Sequence, residues 1–428
     1  MRTNERTMSD ASPRRLPGAK YWRRLAPGLH VNDDAFMANV LDRPMLLSPA
    51  FLARCKAQLL ADGFITMPPK TLAWSDIDFN ALRAAVRQLQ RQGWPASLLL
   101  MYDEVWAMAL QLSRLMATVS GGCANSLDML AWSVTPALGQ SGFAPHRDRQ
   151  PADVGGSFRA DGTAKYTTAW VALSEATPDN SCLYLVPRQH DPGYVEGDDH
   201  SPETEDPLIR VLRSDVAVQA VRACPLRPGG VVIFTHRAMH WGSKGQELCA
   251  KPRVSVSFGF SDPTFEAPFF KVPSRCLPFP KVSLRAALAS AQLINYHERF
   301  DFGLPLLRRF GATYRASVGE FTAEYAQKTA AEFMDACHDR RAAQTAAAQA
   351  AAAESKGAAP SKKKRKKDAS SEMPSKASKS AKAKATTVFA ADADDDDAEG
   401  ALDDALDAML DAQGDAADNL YDDFDDWA

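Results

Sequence analysis

The sequence predicts a mainly β domain, an antiparallel sandwich or jelly roll, with flanking α-helices. Three observations support this class. Short apolar segments separated by turns fill residues 126–260, helical periodicity precedes and follows them, and the chain becomes strongly charged after residue 355. Many short strands with turns between them are typical of antiparallel β architectures. With 428 residues, of which 45% are hydrophobic, the chain can bury a sizeable core in one or two domains.

The segment before the β region is predicted to be helical after a loosely ordered start. Residues 1–45 are polar and carry five prolines and glycines between Pro13 and Gly28, so we expect a flexible lead-in. Ser48 and Pro49 are typical of a helix N-cap and first turn. The predicted elements are a helix from 48 to 63, a strand at 64–67, and helices at 79–92 and 101–119.

The strand region and the helices after it follow from changes in periodicity. The turn SEATPDNS (174–181) separates two β-branched and aromatic segments, as expected for neighbouring strands. The predicted strands are 126–135, 165–173, 182–186, 208–223, 231–235 and 254–260. Helices are expected at 282–295 and 318–353. The second is alanine-rich, with Phe321, Tyr325 and Phe333 as large anchors, and is either a partly packed helix that frays into a linker or a dimerisation helix.

Two separate segments contain residue types that bind a metal ion. GQSGFAPHRD supplies His146 and Asp148, and GGVVIFTHRAMHWGSKG supplies His240. Residues two apart on a strand point to one face, so the first pair can reach one ion. Two histidines and one carboxylate form the facial triad of non-haem Fe(II) oxygenases, which keeps coordination positions open.

Each of these residues also has an alternative interpretation. His146 and Asp148 could form an ion-paired surface loop. His236 lies four residues before His240 and could replace it as a ligand. His190 is interpreted as a turn residue. Asn180 is expected to stabilise the turn before Cys182, because Asn favours such positions.

Four segments in this order resemble the phytanoyl-CoA dioxygenase (PhyH) family of Fe(II)- and 2-oxoglutarate-dependent dioxygenases. They are LSPAFLARCKAQLLADGFITMP, the metal pair HRD, TTAWVALSEATPDNSCLYLVPRQH, and GGVVIFTHRAMHWGS with KPRVSVSF. The resemblance covers roughly Leu47 to Asp262. It implies a double-stranded β-helix, the cupin-like jelly roll, in a dioxygenase domain spanning 46–310.

The resemblance also implies roles for individual residues. His146, Asp148 and His240 would bind Fe(II). The family pattern has its second histidine ligand immediately before the W-G-S turn, so His240 is preferred and His236 is interpreted as a structural residue or a neighbour of the ligands. Arg253 would pair with the distal carboxylate of 2-oxoglutarate, a role that suits a planar guanidinium. Ser243 would add a hydroxyl to that carboxylate, although it follows His240 by three residues where family members often have two. Trp170 would border the cosubstrate, or would be a core aromatic.

The implied reaction is hydroxylation of an organic substrate, with O2 consumed and 2-oxoglutarate decarboxylated to succinate. No catalytic residue beyond the metal ligands is required. The alternative is a non-catalytic regulatory or binding protein on the same fold that acts through its acidic-hydrophobic tail. A small-molecule substrate is expected, but the sequence does not identify it. The acidic loop 193–207 disfavours a highly anionic substrate, because like charges repel.

Charge and cysteine content narrow the partners and the compartment. Residues 1–355 contain 39 bases and 35 acids, so the body is not expected to bind nucleic acid. The seven cysteines contain no C-x-x-C pair, which favours a reducing compartment. No run of eighteen apolar residues occurs, so no membrane span is predicted. We therefore expect a nuclear or cytoplasmic protein, with an organelle transit peptide as the alternative.

The C-terminal part is predicted as an Ala-rich helix (311–355) followed by a disordered tail (356–428), first basic and then acidic. Few large apolar side chains are available there to offset chain entropy. Lys362–Lys367 reads KKKRKK and would bind a nuclear import receptor, or would be a solvated linker or a phosphate-binding arm. The acidic end mixes aspartates with Leu, Phe and Trp, which is typical of segments that dock on a protein partner; a solubilising tail is the alternative.

Overall fold

The computed structural model describes residues 15–44, 47–72, 74, 76–198, 207–242, 244–272 and 278–357. Within these ranges the strands are β1 (Phe64–Met67), β2 (Ala124–Val134), β3 (Tyr166–Ala172), β4 (Leu183–Leu185), β5 (Arg222–Cys224), β6 (Val231–Thr235), β7 (His240–Gly242) and β8 (Arg253–Ser261). The α-helices are α1 (Ala19–Leu25), α2 (Asp34–Leu41), α3 (Pro49–Asp62), α4 (Phe79–Arg91), α5 (Asp103–Val119), α6 (Gly193–Glu196), α7 (Pro207–Val211), α8 (Asp215–Ala220), α9 (Val282–Asn295), α10 (Leu304–Arg315) and α11 (Ala323–Gly357).

Two antiparallel sheets form the centre of the fold. The larger has the strand order β1-β6-β3-β8-β2, and the smaller has the order β5-β4-β7. Helices flank these sheets, so the predicted class, mainly β with flanking α-helices in the cupin-like jelly-roll arrangement, is confirmed. Strand order does not follow chain order, which is typical of jelly rolls because their strands alternate between two sheets.

The two faces of β3 explain its apolar sequence. Alternation places Thr168 and Trp170 on one face and Ala169 and Val171 on the other. Trp170 belongs to a buried cluster that includes Leu183 and other residues of the smaller sheet, so this face points between the sheets. Ala169 and Val171 on the opposite face are fully buried as well. Because the strand is buried on both faces, its sequence is a continuous run of mainly apolar residues.

The prediction of a flexible lead-in at 1–45 is wrong for the part that the structure describes, 15–44. This segment contains α1 and α2, and Trp22 is completely buried with its indole N–H donating to Pro17 O at 2.8 Å. Buried apolar residues occur here, but they are spaced too irregularly to give a clear periodicity. They are Trp22, Leu29, Val31, Phe36 and Val40.

Two buried carboxylates at the start of α5 hold this N-terminal segment in place. Asp103 accepts hydrogen bonds from the backbone N–H groups of Asn32 at 3.0 Å and Asp33 at 2.9 Å. Glu104 accepts from the backbone N–H of His30 at 3.1 Å. Asp103 also pairs with Arg285 of α9 at 2.6 Å, and both side chains are fully buried. The N-terminal segment is therefore fixed to the same point of the domain as a C-terminal helix.

The predicted strand at 208–223 is also wrong in the main. The segment forms α7 and α8, and only its last residues enter β5. Ser214 caps α8 by accepting a hydrogen bond from Ala217 N at 3.1 Å. Ala217 and Ala220 are buried three residues apart, whereas Val216 and Val218 are 63% and 53% exposed. The β-branched content suggested a strand, but helix capping determines the local structure.

Three α-helices follow the sheets in the part of the chain that the structure describes. The predicted helix at 282–295 coincides with α9, whereas α11 begins at Ala323 and the predicted domain boundary at 310 lies inside α10. The chain divides into two compact units, Met1–Ala326 and Gln327–Ala428. In the second unit, the described residues are the part of α11 up to Gly357. The basic run Lys362–Lys367 and the acidic tail lie outside the described residues. None of the helices that the structure describes is long and apolar enough to cross a membrane.

Candidate metal centre

The three predicted ligands lie together although they come from distant parts of the chain. His146 forms an isolated antiparallel bridge with His240, the first residue of β7, and each backbone N–H donates to the other's carbonyl at 3.0 Å. One ligand atom from each of His146, Asp148 and His240 lies within 4.8 Å of the other two. The Nε2 atoms of the histidines are 3.6 Å and 3.5 Å from Asp148 Oδ1.

Two glycines allow the strands that carry the histidines to approach each other. A Cβ added to Gly142 would lie 2.6 Å from Gly242 Cα, and one added to Gly242 would lie 2.7 Å from Gly142 Cα. Gly242 N also donates to Phe143 O at 3.0 Å. Any side chain at either position would separate the backbones, so this contact sets the spacing of His146 and His240.

Backbone carbonyls fix the orientation of both imidazoles. His146 Nδ1 lies 2.7 Å from Ala144 O, and His240 Nδ1 lies 3.0 Å from Ala238 O. A carbonyl only accepts hydrogen bonds, so each Nδ1 carries the proton and each Nε2 presents its lone pair towards Asp148. Both histidines thus have the tautomer that a metal ligand needs.

The charges in the cluster favour an anionic carboxylate. Burial alone would raise the pKa of Asp148, but His240, His146 and a hydrogen bond from Thr168 lower it well below its usual range. Burial lowers the pKa of His240 to about 4, although Asp148 opposes this. For His146, Asp148 outweighs burial and raises the pKa, while the charge of Arg299 acts in the opposite direction. At neutral pH Asp148 is therefore an anionic carboxylate and His240 is a neutral imidazole, the two forms that bind a metal ion.

The Asp148 carboxylate is held by Thr168 and by its two sequence neighbours. Thr168 Oγ1 donates to Oδ2, which leaves Oδ1 facing the histidines. Arg147 pairs with Asp191 at 2.6 Å and with Asp198, and all three side chains are almost fully buried. Arg149 pairs with Asp128 at 2.9 Å and with Glu266 at 2.6 Å. These ion pairs lock the HRD segment on both sides of its aspartate.

Arg253 is a buried cation on the same face as the metal cluster. Its guanidinium carbon lies 5.5 Å from the centre of the Trp170 ring, and Trp170 shares one face of β3 with Thr168. Arg253 Nε donates to Ser181 O at 3.0 Å and NH1 donates to Ser255 Oγ at 2.8 Å. Among the described residues no carboxylate forms an ion pair with it. Burial lowers the pKa of Arg253 to about 10.

Ser181 connects Arg253 to the loop before His146, a role that the sequence did not reveal. Its hydroxyl accepts a hydrogen bond from Gly142 N at 3.1 Å, while its carbonyl accepts from Arg253 Nε. The residue has a φ of 76°, a left-handed conformation that is uncommon for serine.

The predicted role of Asn180 in this turn agrees with its side chain, which accepts a hydrogen bond from Thr177 N at 2.7 Å. Ser243 lies outside the described residues.

His236 and His190 lie outside the cluster. His236 is fully buried, with Nδ1 3.1 Å from Tyr166 O. Its Nε2 has no hydrogen-bond partner within the described part of the chain, and burial lowers its pKa to about 4. His190 ends a short 3-10 helix (Arg188–His190). Of the four histidines considered from the sequence, the structure brings His146 and His240 to Asp148.

Comparisons with known proteins give one family match. The sequence model of the phytanoyl-CoA dioxygenase (PhyH) family matches residues 40–245. No curated protein matches this chain by sequence.

Several solved structures are similar to part of this chain. The non-haem α-ketoglutarate-dependent epimerase SnoN from nogalamycin biosynthesis is 21% identical over 50% of this chain and 84% of that chain, with a TM-score of 0.36. The carbocyclase SnoK from the same biosynthesis is 19% identical over 51% and 85%, with a TM-score of 0.37. HygX from Streptomyces hygroscopicus, with nickel and 2-oxoglutarate bound, is 17% identical over 52% and 89%, with a TM-score of 0.35.

Proposed function

We propose that the protein is an Fe(II)- and 2-oxoglutarate-dependent dioxygenase that hydroxylates an organic substrate, because the sequence model of the phytanoyl-CoA dioxygenase family matches residues 40–245. His146, Asp148 and His240 are the proposed iron ligands. Arg253 is proposed to bind 2-oxoglutarate, Trp170 to border it, and Ser243 to add a hydroxyl.

The donor set fits a non-haem iron ion. Two imidazole Nε2 atoms and one carboxylate oxygen are the ligands of the facial triad. Ligand atoms about 2.1 Å from one ion stand about 3 to 3.5 Å apart, and the two histidine-to-aspartate distances are 3.6 Å and 3.5 Å. Small adjustments would therefore suffice for binding. The side chain of His146 is 33% exposed, whereas His240 is 5% exposed, so the cluster is open on the His146 side.

The observation that carries the proposal is the buried guanidinium of Arg253. A buried charge is costly unless an opposite charge compensates it, and the described residues provide no carboxylate for Arg253. A dicarboxylic cosubstrate would supply that charge and would form a two-pronged hydrogen-bonded pair. The cation–π contact with Trp170 would keep the guanidinium in place before the ligand binds.

When bound, Fe(II) with 2-oxoglutarate and O2 supplies the oxidising chemistry, in which 2-oxoglutarate is decarboxylated to succinate and a substrate C–H bond is hydroxylated. The protein positions and encloses these groups. Thr168 orients the Asp148 carboxylate, the Ala144 and Ala238 carbonyls orient the imidazoles, and the apolar cluster around Trp170 excludes water from the interior. No protein nucleophile or general base is needed.

The test is an anaerobic titration of the Fe(II)-loaded protein with 2-oxoglutarate, followed by the weak visible charge-transfer band of the chelate. We expect a saturable band in the wild-type protein and in His190→Ala, a control histidine outside the cluster. Asp148→Ala and His146→Ala should lose iron, measured as metal per folded chain, while they keep cooperative unfolding. A folded wild-type protein that holds iron but shows no band would instead favour the non-catalytic alternative.

A further inference from the structure

Three aromatic side chains form a wall beside the open side of the metal cluster. The ring centre of Phe143 lies 5.7 Å from that of His146 and 4.7 Å from that of Trp132, which it meets edge-on. Trp132 stacks on Phe300 at 4.4 Å with an angle of 7° between the rings. All three are only partly buried, so they present apolar surface to solvent next to a metal ligand. We call Trp132, Phe143 and Phe300 the aromatic lip.

A cation without an ion-pair partner lies on this lip. The guanidinium carbon of Arg299 is 5.2 Å from the centre of the Phe143 ring, and the side chain is exposed. In the ranges that the structure describes, no carboxylate pairs with Arg299, although its neighbours Glu298 and Asp301 are acidic. Arg147 and Arg149 differ in this respect, because both are saturated by carboxylates. Arg299 is thus available to a ligand.

We propose that the substrate of this site carries an anionic group, a carboxylate or a phosphate, on an apolar or aromatic body. Arg299 would bind the anionic group and the aromatic lip would contact the body. This inference rests on the proposed function, because it places the substrate beside His146. A guanidinium that contacts the face of a ring can still donate from its N–H groups, and these match the two oxygens of a carboxylate or phosphate.

Two carboxylates of the acidic loop at 193–207, Glu196 and Asp198, are paired with arginines in the part of the loop that the structure describes. The Asp198 carboxylate is 2% exposed and is bound by Arg147, which also binds the fully buried Asp191. Glu196 pairs with Arg210 at 2.6 Å. Residues 199–206 lie outside the described residues. The carboxylates of this loop that the structure describes are therefore neutralised by arginines.

The experiment compares fluorinated probes that differ in charge. The probes are 4-fluorophenylacetate, 4-fluorophenyl phosphate and the neutral 4-fluorophenylacetamide, added to full-length protein saturated with 2-oxoglutarate under anaerobic conditions so that Arg253 is occupied. Fluorine NMR shifts give the affinity of each probe without reference to the metal. Line broadening by Mn²⁺, used in place of Fe(II), reports whether the probe binds near the metal.

We expect at least one anionic probe to bind about tenfold more tightly than the amide, the scale of one hydrogen-bonded charge pair. Comparison of the carboxylate with the phosphate identifies the preferred anion. Arg299→Gln should remove the difference and leave the amide affinity unchanged, and Arg299→Lys should retain part of it. Phe143→Leu should weaken all probes alike. The control is Arg54→Gln, because Arg54 is also exposed and lies 5.8 Å from the Phe51 ring.

The outcomes separate the two proposals. Equal affinity for charged and neutral probes, or unchanged anion affinity in Arg299→Gln, overturns the anionic substrate class while the metal centre stands. A third result also overturns the anionic substrate class: the anionic probes prefer Arg299, but bound Mn²⁺ does not broaden their fluorine lines. The anion would then bind away from the metal centre. The proposed metal centre is refuted if the protein does not bind Mn²⁺, or if wild type and Asp148→Ala bind it equally well. In that case the proposal that the aromatic lip binds a substrate of this site is refuted too.

Discussion

Replacing Arg253 by methionine should have opposite effects on ligand affinity and on the stability of the free protein. Burial lowers the pKa of Arg253 from 12.5 to about 10. This shift means that the folded state destabilises the charged guanidinium by roughly 3 kcal/mol. Methionine has a similar length and carries no charge. It loses the hydrogen bonds to Ser181 and Ser255, worth about 1 kcal/mol each. Without ligand, we therefore expect the variant to be as stable as wild type or about 1 kcal/mol more stable.

The affinity for 2-oxoglutarate should fall in the same variant. A carboxylate that pairs with the buried guanidinium recovers the roughly 3 kcal/mol, so its loss predicts an increase in Kd of about 100-fold. Two measurements check this: urea unfolding with and without 2-oxoglutarate, and the anaerobic titration of the charge-transfer band. Iron binding should be unchanged, because the three metal ligands are untouched.

A matched buried arginine supplies the control. Arg285 is also fully buried, but it pairs with Asp103 at 2.6 Å. Arg285→Met leaves Asp103 buried without its cation and should cost about 3–5 kcal/mol of unfolding free energy, with no effect on the affinity for 2-oxoglutarate. The reasoning would be refuted if Arg253→Met lost as much stability as Arg285→Met and bound 2-oxoglutarate normally. Arg253 would then be a structural hydrogen-bonding group.

Four other predictions concern the supports of the site, the thiols and the tail. Gly142→Ala should lower the free energy of unfolding by about 1–3 kcal/mol through overpacking and should weaken iron binding. Urea unfolding and metal titration measure these two effects. The control Gly155→Ala, whose added Cβ would have its nearest neighbour at 3.5 Å, should change neither. Arg147→Ala should cost about 3–5 kcal/mol in urea unfolding, because buried Asp191 loses its cation and Asp198 keeps only the more distant Arg237, at 3.9 Å. A smaller cost would mean that water replaces the guanidinium. Burial raises the pKa of Cys182 to about 11 and of Cys224 to about 12, so both thiols should resist iodoacetamide at pH 8 until the protein unfolds, as followed by peptide mass mapping. Deletion of residues 358–428 should leave turnover intact and alter nuclear localisation or protein partners in cells; lost turnover would instead make the tail part of the enzyme.

Local signals in the sequence predicted the elements that depend on local interactions. Ser48 accepts from Phe51 N at 3.2 Å, as expected of the N-cap, and α3 ends at Gly63, whose φ is 78°. The strand KYTTAWVAL was identifiable because both of its faces are buried. By contrast, α1 and α2 owe their position to carboxylates more than seventy residues away. A pattern search within a short window cannot detect such partners.

The same distinction applies to the site. The residue types, the H-x-D spacing and the resemblance to the family pattern together selected His146, Asp148 and His240, which the structure brings together. Thr168 and Ser181 were missed because a hydroxyl residue in a strand or a turn is common, and only the folded chain shows what it contacts. Gly142 and Gly242 were missed for a related reason. Their importance lies in a contact between two backbones, and glycine has no side chain that would indicate a partner.

The contacts of the N-terminal segment have a consequence for the order in which a newly made chain can fold. Leu16 N donates to Thr313 Oγ1 at 2.8 Å, across 297 positions of sequence, and Arg285 binds the same Asp103 that holds Asn32 and Asp33. During synthesis, α1 leaves the ribosome long before α9 and α10 exist. Contacts between such distant parts of the chain form late, and apolar surface that they will cover stays exposed until then. Leu16 and Asp103 therefore complete their contacts only after α10 and α9 have been made, and a chain that stops before α9 would lack both of these contacts.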